Sequence, residues 1–329
     1  MKQLFIFALG LASPLHVAAD PASYDAQIIR SLPHEGAPFT QGLELVDHSR
    51  LIETSGAYPE GTESFIRMID LKDGSVLQTT KSGLAGRFAE DVAPTATGWL
   101  VATYHDGKAV RFNADLSVES EVDYPIEEGW GLCRDSQEDR YFATNGTEFL
   151  MELDSETLAL KRVAPVTCMG YKVPGLNELE FVADFNGKGP TVFGNLYKTR
   201  FVLGIDPSTF ECTSVFDLEG FGEQDPQEEY GFHVANGIAY LPGSKTFLVT
   251  GKNWQNMFEI SLEAAGNTHR EKLRKKLRHF ASQTASFLAT GMRSQIPALP
   301  STDVRGKLRV TRREPERAIA PDESHSPEA

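Results

Sequence analysis

Apolar, β-rich stretches that each run into a short polar turn recur five times along the chain. They read "FIRMIDLKDGSV", "AVRFNADLSV", "FLMELDSETLAL", "FVLGIDPSTFEC" and "NMFEISLEAAGN", with Asp70, Asn113, Asp154, Asp206 and Ser261 entering the turns. These positions are 43, 41, 52 and 55 residues apart, about the length of one four-stranded propeller blade. The spacing predicts five such units between about residues 24 and 265.

Two strands can be placed at the start of each unit. First strands are predicted near Gly42–Val46, Ala89–Ala93, Gly129–Arg134, Glu178–Ala183 and Gly237–Leu241, and second strands ending near Ser55, Tyr104, Asn145, Asn195 and Lys252. The stretch "YDAQIIRSL" is available to complete the last blade and close the ring. We therefore predict an all-β, five-bladed β-propeller with four-stranded antiparallel blades. The regular spacing argues against a pair of β-sandwiches, and the length of the units argues against a β-helix.

The two ends of the chain have a different character. Residues 1–19 combine Lys2, a short apolar run and Val17-Ala18-Ala19, which is typical of a cleaved secretory signal peptide and too short for a membrane span. After the propeller domain (20–265), residues 266–294 place Leu273, Leu277, Phe280, Thr284 and Phe287 on one stripe of a basic amphipathic helix. We expect it to dock on the acidic ring rather than on a membrane surface, and we expect residues 295–329 to be disordered.

Charge and cysteine content narrow the functional classes. The net charge is -14, and since residues 264–329 contribute +6, the preceding part carries -20 and is not expected to bind nucleic acid. Cys133, Cys168 and Cys212 allow at most one internal disulfide in the oxidising compartment that a signal peptide implies. We interpret them as structural cysteines, because no Cys/His signature surrounds any of them.

Polar residues at the strand ends indicate the site. In a propeller, the start of each innermost strand and the end of the next strand meet at one rim of the central axis. The residues at these positions are Gln41, Glu90, Trp130, Asn177, Glu178 and Asn236, together with Ser55, Tyr104, Asn145, Asn195 and Lys252. The polar stretch "LNELE" is explained if it lines this mouth. One carboxylate, several amides, a lysine and aromatic walls are suited to proton transfer and oxyanion stabilisation, although each group alone could be structural.

Six segments of the same residues carry a family resemblance. They are "FTQGL" at 39–43, "FAED" at 88–91, "EGWGL" at 128–132, "LNELEFV" at 176–182, "NGIAY" at 236–240 and "TGKNW" at 250–254. In this order they resemble the signature segments of the plant- and bacterial-type glutaminyl cyclotransferases. The resemblance covers about residues 24–263. It implies a secreted five-bladed propeller that converts N-terminal glutamine of a peptide or protein to pyroglutamate, releasing ammonia without a catalytic metal.

The resemblance also implies roles for individual residues. Glu90 matches the general acid/base. Gln41, Asn177 and Lys252 match the groups that hold the amide and the developing oxyanion, and Lys252 has the alternative of a salt bridge to an axial carboxylate. The aromatic enclosure is matched by Phe39, Phe88 and Trp130, with Tyr104 and Tyr197 where the family pattern has tryptophan.

Two further expectations concern carboxylates. Asp91 stands where the family pattern has a glycine, and a second carboxylate beside Glu90 could raise its pKa or compete for the substrate amine. Glu178 and Glu180 are expected to hold the axis together through hydrogen bonds or a bound structural cation, for which calcium is chemically suited.

Three functions are compared. The first is the cyclase, acting as a secreted or periplasmic monomer without a catalytic cofactor. The second is a metal-dependent, lactonase-like propeller hydrolase, whose axial Glu and Asn residues would hold a divalent cation. The third is a propeller that binds ligands without catalysis.

Overall fold

The strands and the helix are seen in a computed structural model that describes residues 20–58, 61–222 and 233–288, with side chains described as far as residue 280. The predicted signal peptide (1–19) and the predicted tail (295–329) lie outside the described residues. All described residues belong to one unit, residues 1–297.

In chain order the elements are β1 (Ala22–Pro33), β2 (Thr40–Asp47), β3 (Arg50–Ser55), β4 (Phe65–Asp70), β5 (Val76–Thr80), β6 (Phe88–Pro94), β7 (Gly98–Tyr104), β8 (Lys108–Asn113), β9 (Val118–Asp123), β10 (Leu132–Asp135), β11 (Arg140–Ala143), β12 (Phe149–Asp154), β13 (Leu160–Pro165), β14 (Thr167–Cys168), β15 (Tyr171–Lys172), β16 (Leu176–Val182), β17 (Thr191–Leu196), β18 (Phe201–Ile205), β19 (Cys212–Asp217), β20 (Ala235–Leu241), β21 (Thr246–Gly251), β22 (Asn256–Ala264) and α1 (Asn267–Leu288).

The strands pair mostly with their sequence neighbours. Strands β2–β5, β6–β9 and β10–β13 form three four-stranded antiparallel sheets, and the strand order of an eight-stranded sheet is β16-β17-β18-β19-β1-β22-β21-β20. Strand β1 lies antiparallel to β22, as the sequence predicts for the closing segment, and it also runs parallel to β19, which was not predicted. The all-β class with four-stranded propeller sheets and a C-terminal helix is confirmed, whereas the blade number stays a prediction.

Burial explains why the strands differ in composition. Strand β17 is buried at every residue because neighbouring sheets cover both of its faces, and its sequence "TVFGNL" is mostly apolar. The fourth strands β5 and β9 are exposed or partly exposed throughout; β5 carries three polar residues and β9 three acidic ones. Charged edge strands resist pairing with another chain. Apolar clusters fill the spaces between neighbouring sheets, so the core is divided among them.

The first strands form a closed cycle of contacts around an axis. Strand β2 contacts β6 and β20, β10 contacts β6 and β16, and β16 contacts β20. Buried carboxylates link these strands: Leu43 N and Ile238 N donate to Glu178 Oε1 at 3.3 and 2.9 Å, and Tyr240 N donates to Glu180 Oε1 at 2.9 Å. The hydrogen bonds expected of Glu178 and Glu180 are therefore present. A bound cation at the axis stays a prediction.

One predicted strand boundary is wrong. Strand β10 begins at Leu132 rather than near Gly129. Glu128 forms an isolated bridge to Tyr104 of the preceding sheet, so the chain crosses between two sheets before β10 starts. Gly131 then lies so close to β16 that a Cβ on it would be 1.8 Å from the Asn177 carbonyl oxygen.

Helix α1 packs against the strands through an apolar stripe and ion pairs. Leu273 and Leu277 are fully buried in the cluster that also contains Phe210 and Val215. Lys276 Nζ pairs with Asp217 Oδ2, at the end of β19, at 3.0 Å and with Glu219 Oε2 at 2.8 Å. The predicted docking on an acidic surface is seen here. The helix carries too many charged residues to cross a membrane, and no candidate span occurs in the described part of the chain.

Candidate functional site

The centre of the predicted site is a buried pair of opposite charges. Glu90 lies in β6 and Lys252 directly follows β21, and their side chains are 5% and 4% exposed. The two groups interact electrostatically without a direct ion pair or a side-chain hydrogen bond to another described residue. Among the described residues, Lys252 forms no salt bridge with an axial carboxylate, which was the alternative role for this lysine.

Burial dominates the electrostatics of the pair. It raises the pKa of Glu90 to about 8, and the charge of Lys252 opposes this increase. Burial likewise lowers the pKa of Lys252 to about 8, against the influence of Glu90. Both groups therefore exchange protons near neutral pH, the range in which a general acid/base is most effective.

One group of rings forms a wall beside Lys252. The Phe39 ring lies 4.7 Å from that of Tyr58 and 6.2 Å from that of Phe88, and Phe88 lies 6.0 Å from Tyr104, all between ring centroids. The Nζ of Lys252 is 4.7 Å from the centroid of Phe39. Phe39, Phe88 and Tyr104 are thus brought together as predicted.

A second pair of rings also contacts the lysine. The rings of Trp130 and Tyr197 meet edge to face at 5.3 Å, and Lys252 Nζ is 5.4 Å from the Tyr197 centroid. The ammonium group is therefore in cation-π contact with both ring groups. Burial raises the pKa of Tyr104, and Glu128, Glu90 and Tyr197 add to this increase, so the acid and a ring of the second pair both act on Tyr104.

The predicted amides are also placed near this site. Asn236 Nδ2 donates to the Gln41 carbonyl oxygen at 3.3 Å and to Gln41 Oε1 at 3.4 Å, which orients the Gln41 side chain. Asn177 is 3% exposed, and its carbonyl oxygen accepts a hydrogen bond from Thr144 Oγ1 at 3.3 Å. Within the described ranges the Asn177 amide group makes no side-chain hydrogen bond, so it is available to a ligand.

Glycines allow the rings to lie against the backbone. A Cβ on Gly56 would lie 2.1 Å from the Cζ atom of Phe88. Gly146 has a φ of +76°, and a Cβ there would lie 2.7 Å from the Trp130 ring. Neither ring could keep its position next to a larger residue.

The expectation that Asp91 raises the pKa of Glu90 is wrong, whereas its competition for the substrate amine stays a prediction. The Asp91 carboxylate is fully buried and accepts hydrogen bonds from the backbone N–H groups of Val92, Leu132 and Leu179 at 2.8, 2.8 and 2.9 Å. Asp91 thus links three first strands, whereas Glu90 interacts with Lys252. The two neighbours lie at an irregularity of the β6–β7 pairing. Burial of Glu90 and the charge of Lys252 account for the Glu90 pKa, without a contribution from Asp91.

Two aromatic residues of the site were not predicted. Tyr58 packs on Phe39, and the His105 ring lies 3.7 Å from that of Tyr104. Both lie in loops just beyond a strand, where no periodic pattern marks them. His105 has a φ of +66°, and this unusual backbone conformation has no sequence signal in its neighbours.

The residues present do not form a preassembled metal centre. No group of three or more His, Cys, Asp or Glu side chains suited to holding a metal ion occurs among residues 20–58, 61–222 and 233–280. The chemistry that this part of the chain offers at the mouth is proton transfer by Glu90, charge stabilisation by Lys252 and amides, and an aromatic enclosure.

The family model described as glutamine cyclotransferase matches residues 3–262. A glutaminyl-peptide cyclotransferase of Arabidopsis thaliana is 27% identical over 254 residues, covering 73% of this chain and 72% of that protein. The crystal structure of Myxococcus xanthus glutaminyl cyclase superimposes with a TM-score of 0.63 at 27% identity, covering 75% of this chain and all of that one. The resemblance inferred from the six segments is confirmed: the chain belongs to the glutamine cyclotransferase family.

Proposed function

We propose that this protein is a glutaminyl-peptide cyclotransferase, which cyclises the N-terminal glutamine of a peptide or protein and releases ammonia. The observation that supports this most directly is the buried Glu90 beside Lys252, enclosed by two groups of aromatic rings. Membership of the family and the two relatives support the same reaction.

The reaction is an intramolecular aminolysis. The α-amine of the substrate attacks its own side-chain carboxamide carbon, a C–N bond forms, and the carbonyl oxygen becomes an oxyanion. The bond to the amide nitrogen then breaks, and this nitrogen leaves as ammonia. Glu90 takes the proton that the attacking amine must lose and returns it to the leaving nitrogen, so one carboxylate serves both steps.

The pKa of Glu90 suits this exchange. A peptide α-amine has a pKa of about 7.7–8.0, close to the value of about 8 for Glu90. Proton transfer between groups of similar pKa is nearly balanced, so the carboxylate can accept a proton from the amine and give it up again. A solvent-exposed glutamate would be too weak a base for this role.

The surrounding groups supply orientation and charge stabilisation. Lys252, Asn177 and Gln41 are the donors that we assign to the substrate amide and its developing oxyanion. The rings of Phe39, Phe88, Tyr104, Trp130 and Tyr197 would fold the glutamine side chain back toward its own amine. Holding the two reacting atoms together supplies much of the rate enhancement in an intramolecular reaction.

We further propose that residues 1–19 direct the chain into the secretory pathway or the periplasm, and that the enzyme acts there as a monomer on peptides. No metal is assigned a catalytic step. Calcium at the axis is proposed as a structural ligand only.

The test is ammonia release from a short peptide with N-terminal glutamine, measured for the full chain in excess chelator. Wild type should turn over, and Glu90→Gln should lower kcat/KM by about two orders of magnitude or more. Glu121→Gln, at an exposed carboxylate outside the site, is the matched control and should retain activity. Mass spectrometry should show a product about 17 Da lighter than the substrate peptide, which is the mass of one ammonia molecule.

A peptide whose α-amine is acetylated is the control substrate, because it cannot attack its own side chain. Activity that chelation abolishes and calcium restores would favour the metal-dependent hydrolase. A folded wild type that is inert on every N-terminal glutamine peptide, with or without calcium, would refute the proposed function.

A further inference from the structure

Two of the three cysteines lie next to each other although 43 residues of sequence separate them. Cys168 ends the short strand β14, and Cys212 begins β19. Both are buried, with exposures of 1% and 5%, and both belong to the same apolar cluster. As described, all three cysteines are free thiols.

Backbone pairing sets the separation of the two residues. Thr167 forms a parallel bridge with Glu211, and Thr167 N donates to the Phe210 carbonyl oxygen at 3.1 Å. Cys168 and Cys212 directly follow the two bridged residues, which places them next to each other at the end of the bridge. Neighbouring strands are about 4.7–4.9 Å apart, within the Cα separation of about 4.4–6.8 Å that a disulfide requires.

Both side chains are buried in the same apolar cluster, and the two thiols influence each other electrostatically. The Cys212 thiol donates to the Ser214 carbonyl oxygen at 3.5 Å. The remaining thiol, Cys133, is in β10 opposite Phe142, and its electrostatic neighbours are the axial carboxylates rather than the other cysteines.

Helix α1 covers this pair. Leu273 and Leu277 are fully buried in the same cluster as Cys168 and Cys212, and β15, the partner of β14, contacts α1. An oxidant can therefore reach the sulfur atoms only before the helix docks or when it lifts. Once formed, a bond at this place is shielded from reductants by the same helix.

We propose that Cys168 and Cys212 form a disulfide when the protein folds in an oxidising compartment, which makes this pair a redox modification site. The oxidant is a small-molecule disulfide of the glutathione type. One cysteine thiolate attacks it, forming a mixed disulfide and releasing one small thiol, and the second cysteine then displaces the other small thiol. The two cysteines lose two protons and two electrons, and the oxidant is reduced to two thiols.

The bond would fix the β14–β15 hairpin to β19. This hairpin leads directly into β16, the strand of Asn177, and it supports one end of α1. Oxidation is therefore expected to strengthen the packing of the hairpin and helix on the sheet. The site is separate from Glu90 and its rings, so the inference does not depend on the proposed function.

The test is to refold the full chain from denaturant in a buffer of oxidised and reduced glutathione, and to label free thiols with a maleimide after renewed denaturation. Wild type should take up one label, and peptide mapping should find it on Cys133 and find Cys168 linked to Cys212. The same protein refolded in reductant should take up three. Refolding is used because the thiols are shielded in the folded protein.

Matched variants assign the bond. Cys133→Ala should take up no label after oxidative refolding, whereas Cys168→Ala should take up two. Oxidation should raise the thermal midpoint of wild type by several degrees, which is the usual effect of a native crosslink. It should leave the midpoint of Cys168→Ala unchanged. Three labels on oxidatively refolded wild type, a glutathione adduct in place of the crosslink, or a bond that includes Cys133 would each overturn the proposal.

Discussion

The buried carboxylate of Glu53, in β3, offers the sharpest test of how the fold supports the site. Its side chain is fully buried, with Oε2 accepting from Arg67 Nε at 2.6 Å and Oε1 lying 2.7 Å from His34 Nε2. Thr40 Oγ1 also donates to Oε1 at 2.7 Å. In sequence, Thr40 lies between the site residues Phe39 and Gln41. We predict that Glu53→Gln strongly destabilises the protein, because it leaves the buried guanidinium without its counter-charge.

The loss of unfolding free energy in Glu53→Gln follows from the pKa of Glu53 and from the cost of breaking a buried ion pair. Burial alone would raise the pKa of Glu53, but His34, Arg67 and the hydrogen bond from Thr40 more than offset this and lower it from 4.5 to about 2. A difference of this size corresponds to about 3 kcal/mol at neutral pH. Removing one partner of a buried ion pair typically costs about 3–5 kcal/mol, which agrees.

The sign of the pH dependence follows from the lowered pKa. The stabilisation by Glu53 is fully present above the unfolded-state value of 4.5 and is lost as the pH falls toward about 2. The difference in unfolding free energy between wild type and Glu53→Gln should therefore be constant from pH 8 to 5 and shrink below that range.

Urea denaturation at several pH values, followed by circular dichroism and fluorescence, measures these differences. Glu63→Gln is the matched control, since Glu63 pairs with Lys81 at 2.9 Å but both side chains are more than half exposed. It should change the unfolding free energy by less than about 0.5 kcal/mol. A loss below about 1 kcal/mol for Glu53→Gln at pH 7, or a loss that grows at low pH, would contradict the reasoning.

Two further predictions concern the site directly. Lys252→Met should shift the acidic side of the pH profile of kcat/KM, which reports deprotonation of Glu90, to higher pH, because the lysine charge lowers the pKa of Glu90. Measurement of kcat/KM from pH 6 to 10 tests this. An unchanged profile would contradict the electrostatic contact between the two residues. Gly56→Ala should raise KM severalfold with a smaller effect on kcat, because the alanine Cβ would displace the Phe88 ring from the enclosure. Steady-state kinetics with the short N-terminal glutamine peptide would show this. An unchanged KM would mean that Phe88 does not contact the bound substrate.

The strands were largely predictable because their signals are local. Alternating and β-branched stretches ending in polar turns predicted the first strands of the sheets, and four of five began within two residues of the expected position. The exception, β10, starts late because the chain around Glu128 is held by another sheet. Such a contact between sheets leaves no trace in the local pattern.

The residues of the site were predicted from two sources. Convergence of strand ends predicted that Gln41, Glu90, Asn177 and Lys252 meet, and the family resemblance assigned their roles. Tyr58 and His105 were missed because they are loop residues that approach the rings only in the folded chain.

By itself, the sequence determined the strand pattern, the four-stranded repeat and the amphipathic helix, because periodicity within one segment is a property of that segment alone. The tertiary structure decided what each buried polar group faces. Glu90 and Asp91 are neighbours in sequence, yet one faces a lysine and aromatic rings while the other binds three backbone N–H groups. Cys168 and Cys212 are distant in sequence, yet they share one buried cluster beside the parallel bridge of Thr167 and Glu211. Contacts of this kind depend on which distant segments pair, and only the folded chain brings those segments together.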